Sequence, residues 1–397
     1  MTAPAHKERK HALLSASRAE RWLNCPPSAR LEERYKELCG ESSSRYADEG
    51  TLAHEFADLS LRYAIKQITE KEYNKSLSEL RANELYTDEM EEQVEKYTNF
   101  VLEEFAAAQA KTKDAVLLIE SRLDFSHVVE EGYGTGDAII IADDVMSVVD
   151  FKYGKGVKVE ACENPQLKLY GIGALRNYDI IYDIKTVHLI IVQPRIDNYS
   201  KWETSIPELY KWAEEVVKPT AQKAYKGKGL HKAGDHCKFC AVKAMCATLA
   251  QKSLSVTKHN FKEPELLSDE QLVGIYKQTP MLLDWLNSVS EYLLNKSLDG
   301  QEFPGLKLVE GRSRRKWVDE DKVRAKLKEE GYPEDSYIKT SLRGISDIER
   351  LVGKKEFPIL MKDLIIKPQG SPTLVLNTDA RPEYKRVEQA KKDFSDN

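Results

Sequence analysis

Long apolar runs are missing from this chain. None of its 397 residues belongs to a stretch approaching the roughly 20 needed to cross a bilayer. The basic opening "MTAPAHKERKHALL" is followed by no apolar segment of signal-peptide length, so a cytoplasmic protein is expected. There is no G-x-x-x-x-G-K-[ST] loop, which excludes a built-in nucleotide-driven motor of that type. Internal repeats and long low-complexity segments are absent too. The net charge is −5, so no global basic field advertises a polyanionic partner. Cysteine is scarce: Cys25, Cys39, Cys162, Cys237, Cys240 and Cys246. In a reducing compartment disulfides are disfavoured, so clustered thiols point to metal.

What is present is the composition of a soluble globular protein, 41% hydrophobic and 31% charged, long enough for two or three domains. Two local basic patches survive the negative sum: the lysine-rich "KPTAQKAYKGKGLHKAGDHCKFCAVKAMC" and "GRSRRKW" at 311–317. Each reads as a solvated face as readily as a grip on phosphates.

The first 110 residues carry helical periodicity. "SASRAERWLNCPPSARL" places a serine cap before a short amphipathic helix stopped by Pro26 and Pro27. "YADEGTLAHEFADLSLRYAI" and "DEMEEQVEKYTNFVLEEFAAAQA" continue it. From about 115 the period changes. "AVLLIESRL", "YGTGDAIIIAD", "VMSVVDFKYG" and "TVHLIIVQPRI" read as strands, the second and third joined by a hairpin-like turn at "ADDV". A helix near "NPQLKLYGIGALRNY" separates the third strand from the fourth. This order predicts a mixed sheet between helices, with the last strand reached by a crossover. Helix returns over 207–256, and "EPELLSDEQLVGIYKQTPMLLDWLNSVSEYLLNKSLDG" predicts a helical pair. The expected division is a core over 1–255 and a small accessory domain over 256–397, whose tail mixes short strands, basic helix and turns.

The unusual feature is the end of the third strand. Asp150 and Lys152, two residues apart, share one face of a strand that otherwise buries valines. Asp137 lies on the neighbouring strand, so a hairpin brings the two carboxylates to one end of the sheet. Two carboxylates suit a hard divalent cation such as Mg²⁺, which activates water and polarises a phosphodiester. Lys152 could orient that water or neutralise phosphate charge, and burial is expected to depress its pKa. A lone D-x-K is more often a surface ion pair. His54 on its helix and Glu120 at a strand end have bland readings as well, as a packed histidine and a strand cap. Gln166 and Tyr170, four apart, share one helical face that is either solvated or lines a cleft.

"GTLAH", "GTGD", "VVDFKYG" and "QLKLY" occur in the order of the G-x-x-x-H, D, D-x-K and Q-x-x-x-Y motifs. With these, the chain resembles RecB-type nucleases of the PD-(D/E)XK superfamily over about residues 15–255. The resemblance implies an α/β restriction-endonuclease-like core with a mixed sheet flanked by helices, a helical N-terminal region and a small C-terminal domain. It implies metal ligation (Mg²⁺ or Mn²⁺) by His54, Asp137, Asp150 and the Phe151 backbone carbonyl. Lys152 becomes the catalytic lysine, and Gln166 and Tyr170 support DNA contact; Glu120, read from its own place at the strand end, either supports the site or caps the strand.

"CKFCAVKAMC" sets Cys237, Cys240 and Cys246 in C-x₂-C-x₅-C spacing. Three thiols need a fourth for a tetrahedral S₄ site of zinc or iron–sulfur type. Cys25, directed by the following "PP", is the best candidate, while Cys39 and Cys162 are expected to be small buried residues. The layout is similar to the [4Fe–4S] staple of AddB-type and CRISPR-associated RecB-like nucleases, with zinc the alternative.

The whole chain looks like phage-encoded nucleases of recombination modules. That likeness implies a phage or prophage source, a bacterial host cytoplasm, exonucleolytic resection of linear duplex DNA, and a single-strand annealing protein as partner. Alternatives kept open are a structure-specific or single-strand endonuclease and a non-catalytic nucleic-acid-binding protein with a structural metal. A ring-shaped homo-oligomer would favour processive digestion; no membrane partner is expected.

Overall fold

The computed structural model describes residues 12–40, 45–179, 181–255, 267–307, 328–329, 353 and 356–360. The chain divides into two compact units, Met1–Lys296 and Ser297–Asn397, whereas the sequence reading divides it at 255. Described residues of the second unit include the short helix Phe357–Leu360. The basic "GRSRRKW" segment lies outside the described residues, as does most of the expected mixed tail.

The first unit is a mixed α/β body built on five strands: β1 (Val116–Asp124), β2 (Tyr133–Ile141), β3 (Asp144–Phe151), β4 (Ile184–Gln193) and β5 (Asn198–Ser205), in that spatial order. β1, β2 and β3 form an antiparallel meander, with Asp144 in the left-handed region at the β2–β3 turn. β3 and β4 pair in parallel through the crossover helix Pro165–Tyr178, as the strand–helix–strand order predicts. β5 then returns antiparallel at the edge. This fifth strand escapes the sequence reading because "NYSKWETS" is polar, with buried positions only at Asn198 and Thr204. Pairing with β4, rather than strand propensity, creates it.

The helices are α1 (Ala19–Asn24), α2 (Ser28–Cys39), α3 (Arg45–Ala64), α4 (Glu70–Arg81), α5 (Asp88–Lys111), α6 (Pro165–Tyr178), α7 (Ile206–Trp212), α8 (Lys218–Tyr225), α9 (Ala247–Ser253) and α10 (Asp269–Leu298). α3 and α5 cover one sheet face. There Leu52, Phe56, Val94 and Tyr97 pack on Ala138, Ile140, Val149 and Phe151. α6 covers the other face, packing Leu167, Ile172 and Leu175 with Ile139, Met146, Val148 and Leu189. The alternation 138/140 against 139 and 149/151 against 146/148 is the period-2 pattern of strands buried on both sides. Burial of this order, about 25 cal/mol per Å² of apolar surface, holds the sheet between its helices.

Where a helical pair is expected after residue 262, the described residues hold a single 30-residue helix, α10, with Pro280 inside it. The proline removes one amide, but nearby polar side chains turn back onto the helix. Thr279 Oγ1 donates to the Ile275 carbonyl at 3.0 Å and Gln278 Nε2 to that of Gly274 at 3.4 Å. Among the described residues, no helix is long and apolar enough to cross a membrane.

Candidate metal centre and thiol cluster

The β2–β3 register pairs Ala138 with Val149, so its continuation sets Asp137 opposite Asp150. The β1–β2 register pairs Ile119 with Ala138 and Ser121 with Gly136, leaving Glu120 opposite Asp137. Three carboxylates therefore share one rung across three strands. Glu120 is held at φ 45°, a region non-glycine residues avoid. The kink shows in the packing: Ile119 belongs to the α3/α5 cluster, whereas Leu123 belongs to the α6 cluster. Even spacing would put both on one face of a regular strand.

His54 comes to this rung from α3. Its Nδ1 lies 3.3 Å from Asp137 Oδ1 and 3.7 Å from Glu120 Oε1. Its ring sits 5.3 Å from that of Phe151, which stacks on Tyr97 at 4.5 Å. Ligand atoms of His54, Glu120 and Asp137 all lie within 4.8 Å of one another, a spacing that could hold a metal ion. Asp137 Oδ2 accepts from the Phe151 amide at 2.7 Å. Thus the amide of Phe151, the residue between Asp150 and Lys152, couples the two halves of the site.

The other half is a polar chain beneath α6. Asn164 caps that helix by accepting from the amides of Gln166 and Leu167, with Pro165 in the first turn, which puts Gln166 beside the strand end. Gln166 Nε2 donates to Asp150 Oδ1 at 2.9 Å and contacts the Tyr170 hydroxyl at 3.2 Å. Lys152 Nζ donates to Gln166 Oε1 at 3.2 Å and lies 2.9 Å from Asp150 Oδ2. The Tyr170 ring fits because residue 134 is glycine: a Cβ there would meet Tyr170 Cε1 at 2.7 Å. The group spaced for a metal ion is His54, Glu120 and Asp137, whereas the oxygens of Asp150, expected as a ligand, meet Gln166 and Lys152, and Phe151 enters through its amide. Glu120 moves from a supporting acid to the side of His54 and Asp137.

Electrostatics favour a cation. Three carboxylates face two basic groups, His54 and Lys152. Burial pushes the Asp150 carboxyl up to about 6, with Asp137 adding to the rise against the opposing pull of Lys152. Burial also raises Glu120. Burial would raise Asp137 too, but His54 and Lys152 outweigh it and hold that carboxyl low. Burial by itself would lower His54; the Asp137 charge overrides it and carries the imidazole to about 10. The expected depression of Lys152 is corrected for the same reason. Burial does act downward, but Asp150 and Asp137 more than offset it, so its pKa is raised. Asp150 Oδ2 is buried and, although within ion-pair distance of Lys152, accepts no hydrogen bond of ordinary geometry. That spare lone-pair direction beside a His–Glu–Asp set fits a divalent cation. An open pocket of about 500 Å³ adjoins it, walled by Thr51, His54, Glu55, Asp58, Glu79 and Glu120.

The thiols converge elsewhere. Cys25, Cys237, Cys240 and Cys246 line one cavity together with Arg21. Burial, then the nearby Cys246 and Cys25, raise the Cys237 thiol; burial and Glu32 push Cys240 up to about 12. Four thiols around one cavity fit a thiolate-bound metal group. Cys39 and Cys162 are exposed, contrary to expectation. Cys39 ends α2 on its outer side, near Lys296 Nζ at 3.5 Å, and Cys162 lies in the loop before α6.

A strap that the sequence does not announce holds the thiol loop. Arg21 Nη1 donates to the Phe239 carbonyl at 2.8 Å and Nη2 lies 2.8 Å from Glu32 Oε2. Glu32 Oε1 accepts from the Ala241 amide at 2.7 Å. Both side chains are almost fully buried. The available signal is faint: Arg21 lies one helical turn before Cys25, on a helix whose Ala19 and Trp22 are core.

Two comparisons bear on the chain. Residues 11–382 match the model of a family described as "Protein of unknown function (DUF2800)". A solved structure titled "Crystal structure of SSO0001" is similar at 15% identity, over 62% of this chain and 90% of that one, with a TM-score of 0.27. At that score the likeness carries no argument.

Proposed function

The chain belongs to the DUF2800 family, and from its site we propose that it is a divalent-metal-dependent DNA nuclease of the RecB-like PD-(D/E)XK type. Exonucleolytic resection of linear duplex ends, feeding a single-strand annealing protein, is the mode and setting the sequence resemblance implies. The observation that carries the reading is the shared rung: Glu120, Asp137 and Asp150 side by side, with His54 and Lys152 at its two ends.

His54, Glu120, Asp137 and Asp150 are the side chains that would hold Mg²⁺ or Mn²⁺. When bound, such an ion supplies Lewis acidity to a phosphodiester and lowers the pKa of water. The protein's own contribution centres on Lys152. In the metal-free protein its raised pKa keeps it an ammonium at neutral pH, a charge suited to donating to phosphate oxygens or to a water. Asp150 and Gln166 hold the ammonium in place, and Tyr170 holds Gln166. Positioning of this kind, with charge aimed where negative charge develops, is the main source of phosphoryl-transfer catalysis.

For the thiols we propose a [4Fe–4S] cluster that pins α1 to the 237–246 loop. What supports a shared metal group is the cavity that Cys25, Cys237, Cys240 and Cys246 line together; the choice of iron–sulfur over zinc rests on the sequence resemblance.

The test is digestion of linear and circular duplex DNA with Mg²⁺, Mn²⁺ or EDTA. Metal-dependent cleavage of the linear form, lost in Lys152→Ala with DNA binding retained, is expected. A wild-type protein that cleaves neither form overturns the enzyme reading, and cleavage of circles overturns the exonuclease mode. Anaerobically purified protein should be brown and contain iron; a colourless zinc protein overturns the cluster assignment.

A further inference from the structure

After the last β3–β4 rung, where the Lys152 amide donates to the Val192 carbonyl at 2.9 Å, the chain leaves the sheet as a loop running to Ala161. Two buried amide side chains hold that loop. Gln193, 1% exposed, donates through Nε2 to the carbonyls of Gly154 and Val157. Its Oε1 accepts from the Val159 amide and from Asn198 Nδ2, each at 3.2 Å. Asn198 Nδ2 also donates to the Val159 carbonyl at 2.8 Å. At the near end, Tyr153 is buried with the Arg195 guanidinium 4.5 Å from its ring centroid. Three of the four hydrogen bonds of Gln193 thus hold this one surface loop, and the fourth ties it to Asn198.

Between those ties, residues 154–158 are exposed. Gly154 and Gly156 lie outside the left-handed region, and a Cβ at either would meet nothing within 4 Å. Neither the backbone conformation nor packing within this chain requires glycine at these two positions. The open space over both leaves the loop backbone bare, so that another molecule's backbone could approach it closely. Lys155 stands between them, exposed and with no carboxylate partner among the described residues, whereas Lys158 pairs with Glu160 at 2.6 Å. Lys155 follows Lys152 by three residues. That is at most about 10 Å of extended chain, the rise of about three phosphates along a strand.

We propose that Gly154–Lys155–Gly156 is a phosphate-backbone subsite for the DNA strand whose scissile bond lies at Lys152, with Gln193 and Asn198 as its positioning residues. The subsite rests on the nuclease reading and extends it from the reacting phosphate to the neighbouring ones. The glycines let the strand approach the loop backbone, and Lys155 supplies a point charge that grips without reading sequence.

The experiment uses the full chain and a labelled linear duplex. Binding is followed by anisotropy across a salt series without divalent cation, and digestion is followed with Mn²⁺. Lys155→Ala should lower the slope of log affinity against log salt by about 0.9, one phosphate contact. It should raise KM with kcat retained, and Lys155→Arg should restore both. Gly156→Val adds bulk without charge and should weaken binding at every salt concentration. Gln193→Met should raise KM with Lys155 intact; an unchanged KM overturns its positioning role. A wild type that cuts DNA while Lys155→Ala and Gly156→Val bind and cut equally well overturns the subsite alone. A wild type that neither binds nor cuts overturns the nuclease reading and the subsite together.

Discussion

If His54 ligates a cation, that cation must displace a proton. In the metal-free protein Asp137 and its neighbours carry the imidazole to about 10 from its ordinary 6.5. At pH 7 the ring is therefore protonated, and removing that proton costs about 4 kcal/mol, three pKa units at 1.36 kcal/mol each. Apparent Mn²⁺ affinity should accordingly tighten about tenfold per pH unit between pH 7 and 9. Below about pH 6 the Asp150 proton must leave as well, and the dependence steepens. Stability without metal moves the opposite way. The folded pKa of His54 lies above the unfolded one, so its ion pair stabilises fully below pH 6.5 and is lost as pH rises through about 10. Metal-free protein should thus melt progressively lower across that window, while saturating Mn²⁺ should give a stabilisation that grows with pH. Calorimetric titration in two buffers of different ionisation enthalpy counts the protons released, one near pH 8. His54→Asn should abolish that release and flatten the pH dependence. Affinity unchanged between pH 7 and 9, with no proton released by the wild type, refutes ligation by His54.

Two further outcomes follow from the packing. Arg21→Ala leaves Glu32, 4% exposed in its side chain, as a buried and unpaired charge; urea denaturation should show a loss of about 3–5 kcal/mol. A loss below about 1 kcal/mol would remove the strap from the account. Gly50 lies one turn before His54 on α3, and a Cβ there meets nothing within 4 Å. Gly50→Ala should stabilise the helix by up to about 1 kcal/mol. It should also lower kcat/KM if the open space belongs to substrate, and unchanged kinetics would leave that space without a function.

Much of this protein is written locally. Alternation and β-branched residues mark β1 to β4. Asn164 and Pro165 start α6 where the sequence places it, and the crossover follows from the order of elements. Asp137, Asp150, Lys152, Gln166 and Tyr170 are legible because strand and helix periods put each on a known face. The C-x₂-C-x₅-C spacing announces itself, and the fold brings Cys25 to the cavity that those three thiols line. What depends on distant partners was not legible. β5 is polar and becomes a strand only by pairing with β4. The Arg21–Glu32 strap closes across α1 and α2 onto the thiol loop, and local composition does not report on that. Glu120 reads as a strand cap until the β1–β2 register sets it opposite Asp137 and a φ of 45° turns the chain there. Burial alone predicts a depressed Lys152; the sign reverses because two carboxylates from adjacent strands lie beside it. Sequence determines periodicity and therefore which face each group occupies. Tertiary structure decides which charges become neighbours, and Coulomb energy depends on that separation in space, whatever the spacing along the chain.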